Sequence, residues 1–466
     1  MTVRIFRHYI PTPLLVLGTV EWLVLTLAVY AGVTLLLWNG IPLGASLTDP
    51  LLPKALVFPL ILLGTMNAAG LYQFGLRDGP QGIAVRVVMS FLTGALLMGL
   101  VFLAFPGLFI GAQAFAASLA VAFLGIALVR TAFYFLADHD SWRRRMLVLG
   151  AGPQAAIIEQ RLRRKADRRG LQIVGYVHTR LEQDVIPASK ILRVETTLLD
   201  LASGLHVDEI VIAVDDRRGN FPIDDLIECK MSGIRVTDLL SFFERQTGKI
   251  QLDVLQPVNI VFLDGFSHAV LRNASKRFFD VAVSLLMLVG TLPILLLTAL
   301  AIWLEDGPRA PIFYRQERVG RDGRVFEVLK FRSMRVDAEA MGAQWATEDD
   351  PRVTRVGRFI RKVRIDELPQ LWNVLRGDMS FVGPRPERPQ FVAELARRIP
   401  YYSLRHRVNP GITGWAQVRY PYGASDRDAK EKLQYDLYYI KNYSLFLDLT
   451  ILLQTVQVIL SGQGAR

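Results

Sequence analysis

The chain has almost no cysteine. Its 466 residues hold one, Cys229, so no intrachain disulfide can form and nothing points to an oxidising compartment. Acidic residues are the minority charge, 43 Asp and Glu against 54 Lys and Arg, which leaves a net charge of +11. That sign suits anionic lipid surfaces, nucleotide phosphates or nucleic acid. Residues 1–13 carry Arg4, Arg7 and His8 ahead of an apolar run. The run is too long for a secretory leader and lacks a small-residue cleavage site.

What the chain has in abundance is apolar surface. Hydrophobic residues make up 51% of it, and the mean hydropathy of +0.29 is high for a soluble protein. The excess lies at the N-terminus, in four segments near 14–38, 54–75, 84–105 and 112–136. Each is close to the ~20 residues that cross a bilayer. Arg4 and Arg7 precede the first segment, Arg77 and Arg86 flank the second loop, and Arg143, Arg144 and Arg145 follow the fourth. The loops near 39–53 and 106–111 are almost free of basic residues, so the positive-inside rule places both ends of this bundle in the cytoplasm. Glu21 and Asn67 fall inside spans, where helix packing or a place near the interface accounts for them as well as function does.

Residues 145–156 read as strand, glycine turn and helix. Gly150, Gly152 and Ala155 fit G-x-G-x-x-A, a turn that cradles phosphate at a helix N-terminus. Further strand candidates at 171–177 and 209–214 make an α/β domain of Rossmann type. The second strand ends at Val177, His178 and Thr179 instead of an acidic ribose ligand, and Pro153 removes one N–H from the turn. Both departures argue against a bound dinucleotide, so no cofactor-binding residue is assigned there. The alternative is a fold retained for dimerisation or regulation. Asp215 and Asp216, at a strand end, are placed to touch a ligand but read better as a turn. Residues 238–275 hold short alternating segments, such as 249–254, and read as a small β connection.

An apolar run from Val281 to Leu304 follows Lys276 and Arg277. It is long enough to cross the membrane, but Pro293 lies in its middle and favours a bend. Crossing would also carry Arg309, Arg315, Arg318, Arg321 and Arg324 outside, against the positive-inside rule. A re-entrant helix-break-helix keeps the remainder cytoplasmic, with Ser284 or Thr291 available to the freed backbone.

Beyond it arginine is dense, and arginine can hold phosphate by paired hydrogen bonds. Most of these arginines individually fit a solvated or lipid-facing surface. Among them stands the pair Asp366 and Glu367. Adjacent carboxylates close to several arginines suggest a metal ion and phosphates. Alone the pair is weak evidence, since an Asp at a helix start is usually a cap and Asp208 and Glu209 form another such pair. The following helix shows Leu368, Leu371, Trp372 and Leu375 on one face and stops at Gly377; its start would aim N–H groups at an anion near Asp366. Leu445 to Leu460 reads as an amphipathic helix suited to a membrane surface.

Four motifs occur in order: Lys330-Phe331-Arg332-Ser333-Met334, Asp366-Glu367-Leu368-Pro369-Gln370-Leu371, Gly383-Pro384-Arg385-Pro386-Glu387, and residues 410–418 from Pro410 to Val418. Together they closely resemble the bacterial sugar transferases, monotopic polyprenyl-phosphate phosphoglycosyl transferases. With the spans and the α/β domain, the chain is similar to the large members that initiate exopolysaccharide or O-antigen assembly. Its middle connection is most similar to members associated with exosortase/PEP-CTERM systems. The expected fold is therefore a membrane protein in four parts. They are a four-helix transmembrane bundle (1–140), a Rossmann-like α/β domain (143–237), the β connection (238–275), and an α-rich monotopic catalytic domain with a re-entrant helix (276–466).

The resemblance implies transfer of hexose 1-phosphate from a UDP-hexose to undecaprenyl phosphate, with release of UMP. The intermediate it implies is a covalent phosphosugar on Asp366. A carboxylate is already anionic at neutral pH and needs no general base. Mg²⁺ would screen the diphosphate, with Asp366 and Glu367 as metal candidates. Glu367 would hold the metal or orient the acceptor phosphate. Arg385 and Arg405 are the implied phosphate contacts, with Lys330 and Arg332 behind them. Pro293 matches the re-entrant break, and Lys276 and Arg277 would anchor lipid headgroups. Partners are membrane lipid and a second copy of the chain, not nucleic acid. The implied location is the bacterial inner membrane, with the N-terminus, middle domain and catalytic domain on the cytoplasmic side. Two other functions compete. A nucleotide-sugar oxidoreductase or epimerase needs a Tyr-x-x-x-Lys pair, and residues 145–250 contain none. A scaffold with an inactive transferase domain would have lost Asp366, Glu367 or Arg385, and all three are present.

Overall fold

The computed structural model describes residues 2–5, 8–39, 50–72, 80–137, 143–162, 170–178, 185–215, 221–262, 270–338, 350–420, 423 and 425–460. It divides into two compact units, Met1–Arg4 with Tyr9–Gln246, and Ile5–His8 with Thr247–Arg466.

Two short strands, β1 (Thr2–Ile5) and β2 (His8–Pro11), precede four long apolar helices: α1 (Thr12–Trp38), α2 (Leu51–Ala68), α3 (Pro80–Ala104) and α4 (Ala112–Ala137). All four have the length and composition to cross a membrane. Leu25, Phe58, Leu62, Met66 and Ile126 fill their common core, while Leu27, Leu96 and Leu128 face outward. A Cβ on Gly32 would lie 2.6 Å from the Ser118 amide nitrogen, so α1 and α4 pack almost backbone to backbone. Glu21 is fully buried. It pairs with Arg130 at 2.7 Å and accepts a hydrogen bond from the Tyr72 hydroxyl. It is a tie between helices, since a buried carboxylate is tolerable only when paired.

The rest of this unit is α/β. In order it comprises β3 (Arg144–Leu149), α5 (Pro153–Arg161), β4 (Leu171–Val177), β5 (Ile191–Leu192), α6 (Leu198–Gly204), β6 (Glu209–Ile212), α7 (Ile223–Met231), β7 (Arg235–Asp238) and α8 (Leu239–Thr247). The strands form one parallel sheet in the order β5-β4-β3-β6-β7. Gly150 has φ of +120°, and a Cβ there would lie 2.4 Å from the Ala213 carbonyl oxygen. Only glycine fits that turn. At the N-terminus of α5 the Gln154 amide donates to the Asp215 carboxylate at 3.2 Å. A negative side chain thus takes a donor that a phosphate would use. Asp216 and Thr179 lie outside the described residues. Glu209, of the other acidic pair, is buried between Arg144 (3.0 Å) and Arg245 (2.6 Å) in a structural ion triad.

Of the β connection expected over 238–275, only Asp238, the last residue of β7, is a strand residue among those described. Residues 239–247 form α8, whose Leu240, Phe242 and Phe243 are buried, and 257–262 form helix α9 (Pro257–Phe262). The alternation at 249–254 has another cause. The Ile250 amide donates to the Gln434 carbonyl (3.0 Å) and Lys249 pairs with Glu431 (2.5 Å), so tertiary contacts, not a sheet, set which side chains face inward.

The second unit continues with α10 (Val270–Asp306), a hairpin of β8 (Phe313–Val319) and β9 (Val325–Phe331), then α11 (Arg355–Lys362), α12 (Gln370–Arg376), β10 (Ser380–Val382), α13 (Pro389–Arg398), β11 (Gly411–Thr413), α14 (Trp415–Arg419), α15 (Asp426–Asn442) and α16 (Leu445–Leu460). Strands β10 and β11 pair in parallel. Helix α10 is a fifth element long and apolar enough to cross a membrane, with Pro293 inside it and Leu286, Val289, Leu296 and Leu297 exposed. Both of its ends grip one domain. Near its start, Arg277 donates to the Leu375 carbonyl (2.6 Å) and Asp280 accepts from the Phe381 amide (3.1 Å). Near its end, Glu305 accepts from the Arg355 amide (2.7 Å) and Asp306 pairs with Arg332 (2.6 Å). Lys276 and Arg277, expected to anchor headgroups, are instead turned inward. Lys276 pairs with Asp448 at 2.7 Å and donates to the Val382 carbonyl at 3.1 Å.

Candidate active site

Asp366 and Glu367 occupy a 3-10 turn, Ile365–Glu367, between α11 and α12. Thr354 caps α11 by accepting from the Gly357 amide at 2.9 Å. Two residues after α11, Arg364 takes φ of +61°. This left-handed conformation costs an L-residue about 1 kcal/mol and reverses the chain into the dyad. The helix expected to follow the dyad, with Leu368 on its face, starts only at Gln370. The Leu368, Leu371 and Trp372 amides close turns onto Ile365, Leu368 and Pro369 (3.1, 3.1 and 3.0 Å), and Pro369 has no N–H. The helix face also differs from the sequence pattern. Leu371, Asn373 and Val374 are buried and Trp372 is 54% exposed. The stop at Gly377 is as expected, with φ of +92° and its amide on the Asn373 carbonyl.

Asn373 joins the dyad to its neighbours. Its amide donates to the Glu327 carbonyl (2.7 Å) and its oxygen accepts from the Leu329 amide (3.0 Å). That clamp fixes β9 against α12, and the next residue on β9 is Lys330. Lys330 Nζ lies 3.2 Å from Glu367 Oε1; Arg385 Nη2 lies 3.1 Å and Arg364 Nη1 3.7 Å from the same oxygen. Three cations thus converge on Glu367.

The two carboxylates are electrostatically unlike. Burial works to raise the Glu367 pKa, but Lys330, Arg385 and Arg364 together outweigh it and hold the group well below the usual carboxylate range. Asp366 is raised, first by burial and then by the Glu367 charge. Burial also lowers Lys330, with Glu367 opposing. Asp366 is 8% exposed, and its Oδ1 has no hydrogen-bond partner.

Arg385 reaches the site from a turn that glycines make possible. Cβ atoms on Gly383, Gly411 and Gly414 would lie 2.4, 2.1 and 2.2 Å from the Asn409 carbonyl oxygen, the Gly383 nitrogen and the Gly383 carbonyl oxygen. The motif around 410–418 therefore serves to seat the 383–387 turn. Of the other expected residues, Arg405 stands behind Arg385. It donates to the Arg385 carbonyl (3.0 Å) and pairs with Asp436 (2.8 Å). Arg332 is buried and paired with Asp306, away from the cations on Glu367. Sequence reasoning gave no role to Arg364, Asn373, Arg318 or Asp436. Asn373 lies two residues past the dyad motif and Arg364 two before it, which were their available signals; Arg318 and Asp436 depend on contacts distant in sequence.

The family model described as Bacterial sugar transferase matches residues 271–462. An uncharacterized sugar transferase of Bacillus subtilis (strain 168) is 41% identical over 191 residues, which are 41% of this chain and 90% of that protein. The chain belongs to the bacterial sugar transferases. A UDP-N-acetylgalactosamine-undecaprenyl-phosphate N-acetylgalactosaminephosphotransferase of Aeromonas hydrophila is 44% identical over 241 residues, 52% of this chain and 56% of the relative. An undecaprenyl-phosphate glucose phosphotransferase of Komagataeibacter xylinus is 33% identical over 322 residues, 67% of this chain and 58% of the relative. The sugar transferase thus spans somewhat more than half the length of these two.

Proposed function

We propose that this sugar transferase moves a hexose 1-phosphate from a UDP-sugar to undecaprenyl phosphate at the cytoplasmic face of a bacterial inner membrane, as the first membrane step of a polysaccharide pathway. The observation that carries this is the division of labour in the dyad. Glu367 is saturated by Lys330, Arg385 and Arg364, while the Asp366 carboxylate is buried with an oxygen that nothing holds. A desolvated carboxylate without a partner is a stronger nucleophile than a solvated or paired one. Asp366 attacks the sugar-bearing phosphorus. The bond to the other phosphate breaks, and UMP leaves with its electron pair. An oxygen of undecaprenyl phosphate then attacks the same phosphorus, and the Asp366 carboxylate is released. Glu367 holds Lys330 and Arg385 facing the phosphates, where positive charge stabilises the transferring group.

Magnesium belongs to the same proposal. Among the described residues no three His, Cys, Asp or Glu side chains cluster, but Mg²⁺ on a diphosphate needs only one or two carboxylates. Glu367 Oε1, facing three cations, does not suit it; one oxygen of Asp366 would, with the other left to attack. When bound, the ion supplies charge neutralisation on the diphosphate.

The two ends of α10 support a re-entrant path. Asp280 and Glu305 both bond into the same domain, although a straight helix would part them by about 37 Å at 1.5 Å per residue. The helix runs without interruption over Val270–Asp306, so a bend at Pro293 rather than a break would reconcile the two. The four helices α1–α4 would form the transmembrane bundle. The sheet order β5-β4-β3-β6-β7 supports a Rossmann-like middle domain, and a second copy of the chain is the expected partner. The relatives' names include N-acetylgalactosamine, glucose and galactose, so a panel of UDP-sugars decides the donor. The test is UMP release by the purified protein with undecaprenyl phosphate and Mg²⁺. Asp366→Asn should abolish it, and full turnover in that variant would refute the nucleophile.

A further inference from the structure

The 383–387 turn cannot hold itself. Pro384 and Pro386 lack N–H donors, and four consecutive carbonyls are held from outside. The Gly411 amide takes Pro384 (3.0 Å), Arg405 Nη2 takes Arg385 (3.0 Å), Arg318 Nη1 takes Pro386 (3.0 Å) and the Val319 amide takes Glu387 (2.9 Å). The donor at Arg385 is a buried guanidinium, its side chain 8% exposed. Such a charge keeps its place only with a counter-ion and satisfied hydrogen bonds. Asp436 provides the charge at 2.8 Å, its own side chain 2% exposed, and the Tyr402 hydroxyl accepts from Arg405 Nη1 at 2.6 Å.

We infer that Asp436 is a positioning residue: acting through Arg405, it fixes the backbone of Arg385 and thereby aims the Arg385 guanidinium at Glu367. This rests on the transferase function proposed above. Asp436 touches neither carboxylate of the dyad, so its effect must pass along the chain Asp436–Arg405–Arg385–Glu367, every link of which is 3.1 Å or shorter. Its own anchorage is firm. Helix α15 opens with a capping box between Ser425 and Asp428, and Tyr439, three residues past Asp436, donates to the Val382 carbonyl (2.9 Å) just before the turn. Glu387 and Lys432 are the other charged groups near Asp436, and neither replaces the ion pair with Arg405.

A buried pair that only stabilised the fold would look similar, and a double-mutant cycle separates the two. UMP release is measured for the full-length protein, D436N, R385Q and the double variant. D436N should lower kcat/KM by about 100-fold, the scale of a 1 Å misplacement, and should add nothing once R385Q is present. Losses that multiply would overturn the inference. Tyr402→Phe runs through the same cycle. It loosens Arg405 without leaving a charge unpaired, so it stays informative if D436N fails to fold. A wild-type protein that released no UMP from any UDP-sugar would refute the transferase function instead. Experimental structures of Y402F and D436N would then decide. Arg385 parted from Glu367 supports the inference, and an unchanged pair overturns it.

Discussion

Replacing Asn373 by alanine tests whether the dyad depends on its clamp. The side chain is 2% exposed and makes two hydrogen bonds to β9, at 2.7 and 3.0 Å. Alanine leaves the Glu327 carbonyl and the Leu329 amide without these partners. A buried polar group left unsatisfied costs about 1–3 kcal/mol, so the two together come to about 3 kcal/mol if water reaches one of them. That corresponds to roughly a 100-fold change in the folded-to-unfolded ratio. Lys330 follows directly on the freed strand, so the rate should fall as well. Denaturant titration of the detergent-solubilised protein measures the first effect and UMP release the second. Asn373→Asp is the companion variant. It retains the acceptor for Leu329 but sets a negative charge against the Glu327 carbonyl, and should be no better than alanine. An Asn373→Ala protein with unchanged midpoint and unchanged rate would refute the clamp.

Other outcomes follow from the same geometry. Glu367→Gln leaves Lys330, Arg385 and Arg364 facing one another; it should cost about 2 kcal/mol, below the fully buried range because Arg385 is 35% exposed, and unchanged denaturation and turnover would refute it. Gly411→Ala would set a Cβ 2.1 Å from the Gly383 nitrogen and should cost about 3 kcal/mol along with activity; a folded, active variant in the same assays would count against the seating of the turn. His8 is held down to about 4, by burial and then by Arg419, beside the rings of Trp415 and Tyr438. Between pH 6.5 and 4 the unfolded chain binds the proton and the folded one does not, so stability is full above pH 6.5 and falls as the pH drops through that window. His406, also lowered to about 4, titrates alongside, so His8→Gln should flatten the melting-temperature profile in part, and an unaltered profile would refute the His8 term. A reporter fused after residue 466 should read cytoplasm; a periplasmic signal would make α10 a crossing helix.

The sequence by itself determined what short-range physics controls. Three of the four apolar segments became α1, α3 and α4 to within about four residues at each end, and the second became α2 but stops at Ala68 instead of 75, because burying or lipid-exposing about twenty apolar side chains in a row leaves the backbone no option but a helix. Gly150 and Gly377 marked a turn and a helix end, since a positive φ excludes most side chains locally. The ordered motifs named Asp366, Glu367, Lys330 and Arg385, and tertiary packing brings Lys330 and Arg385 onto Glu367. What only tertiary structure decided is which charge each group meets. Nothing local says that Glu367 collects three cations while an Asp366 oxygen stays free, or that Arg332 and Lys276 are spent on Asp306 and Asp448. Nor does it say that 239–247 is a helix packed in the α/β unit. The Asp436–Arg405 pair joins residues 31 apart in sequence, and His8 meets Tyr438 across 430. Electrostatic partners are chosen by proximity in space, and a one-dimensional pattern carries charge but not distance.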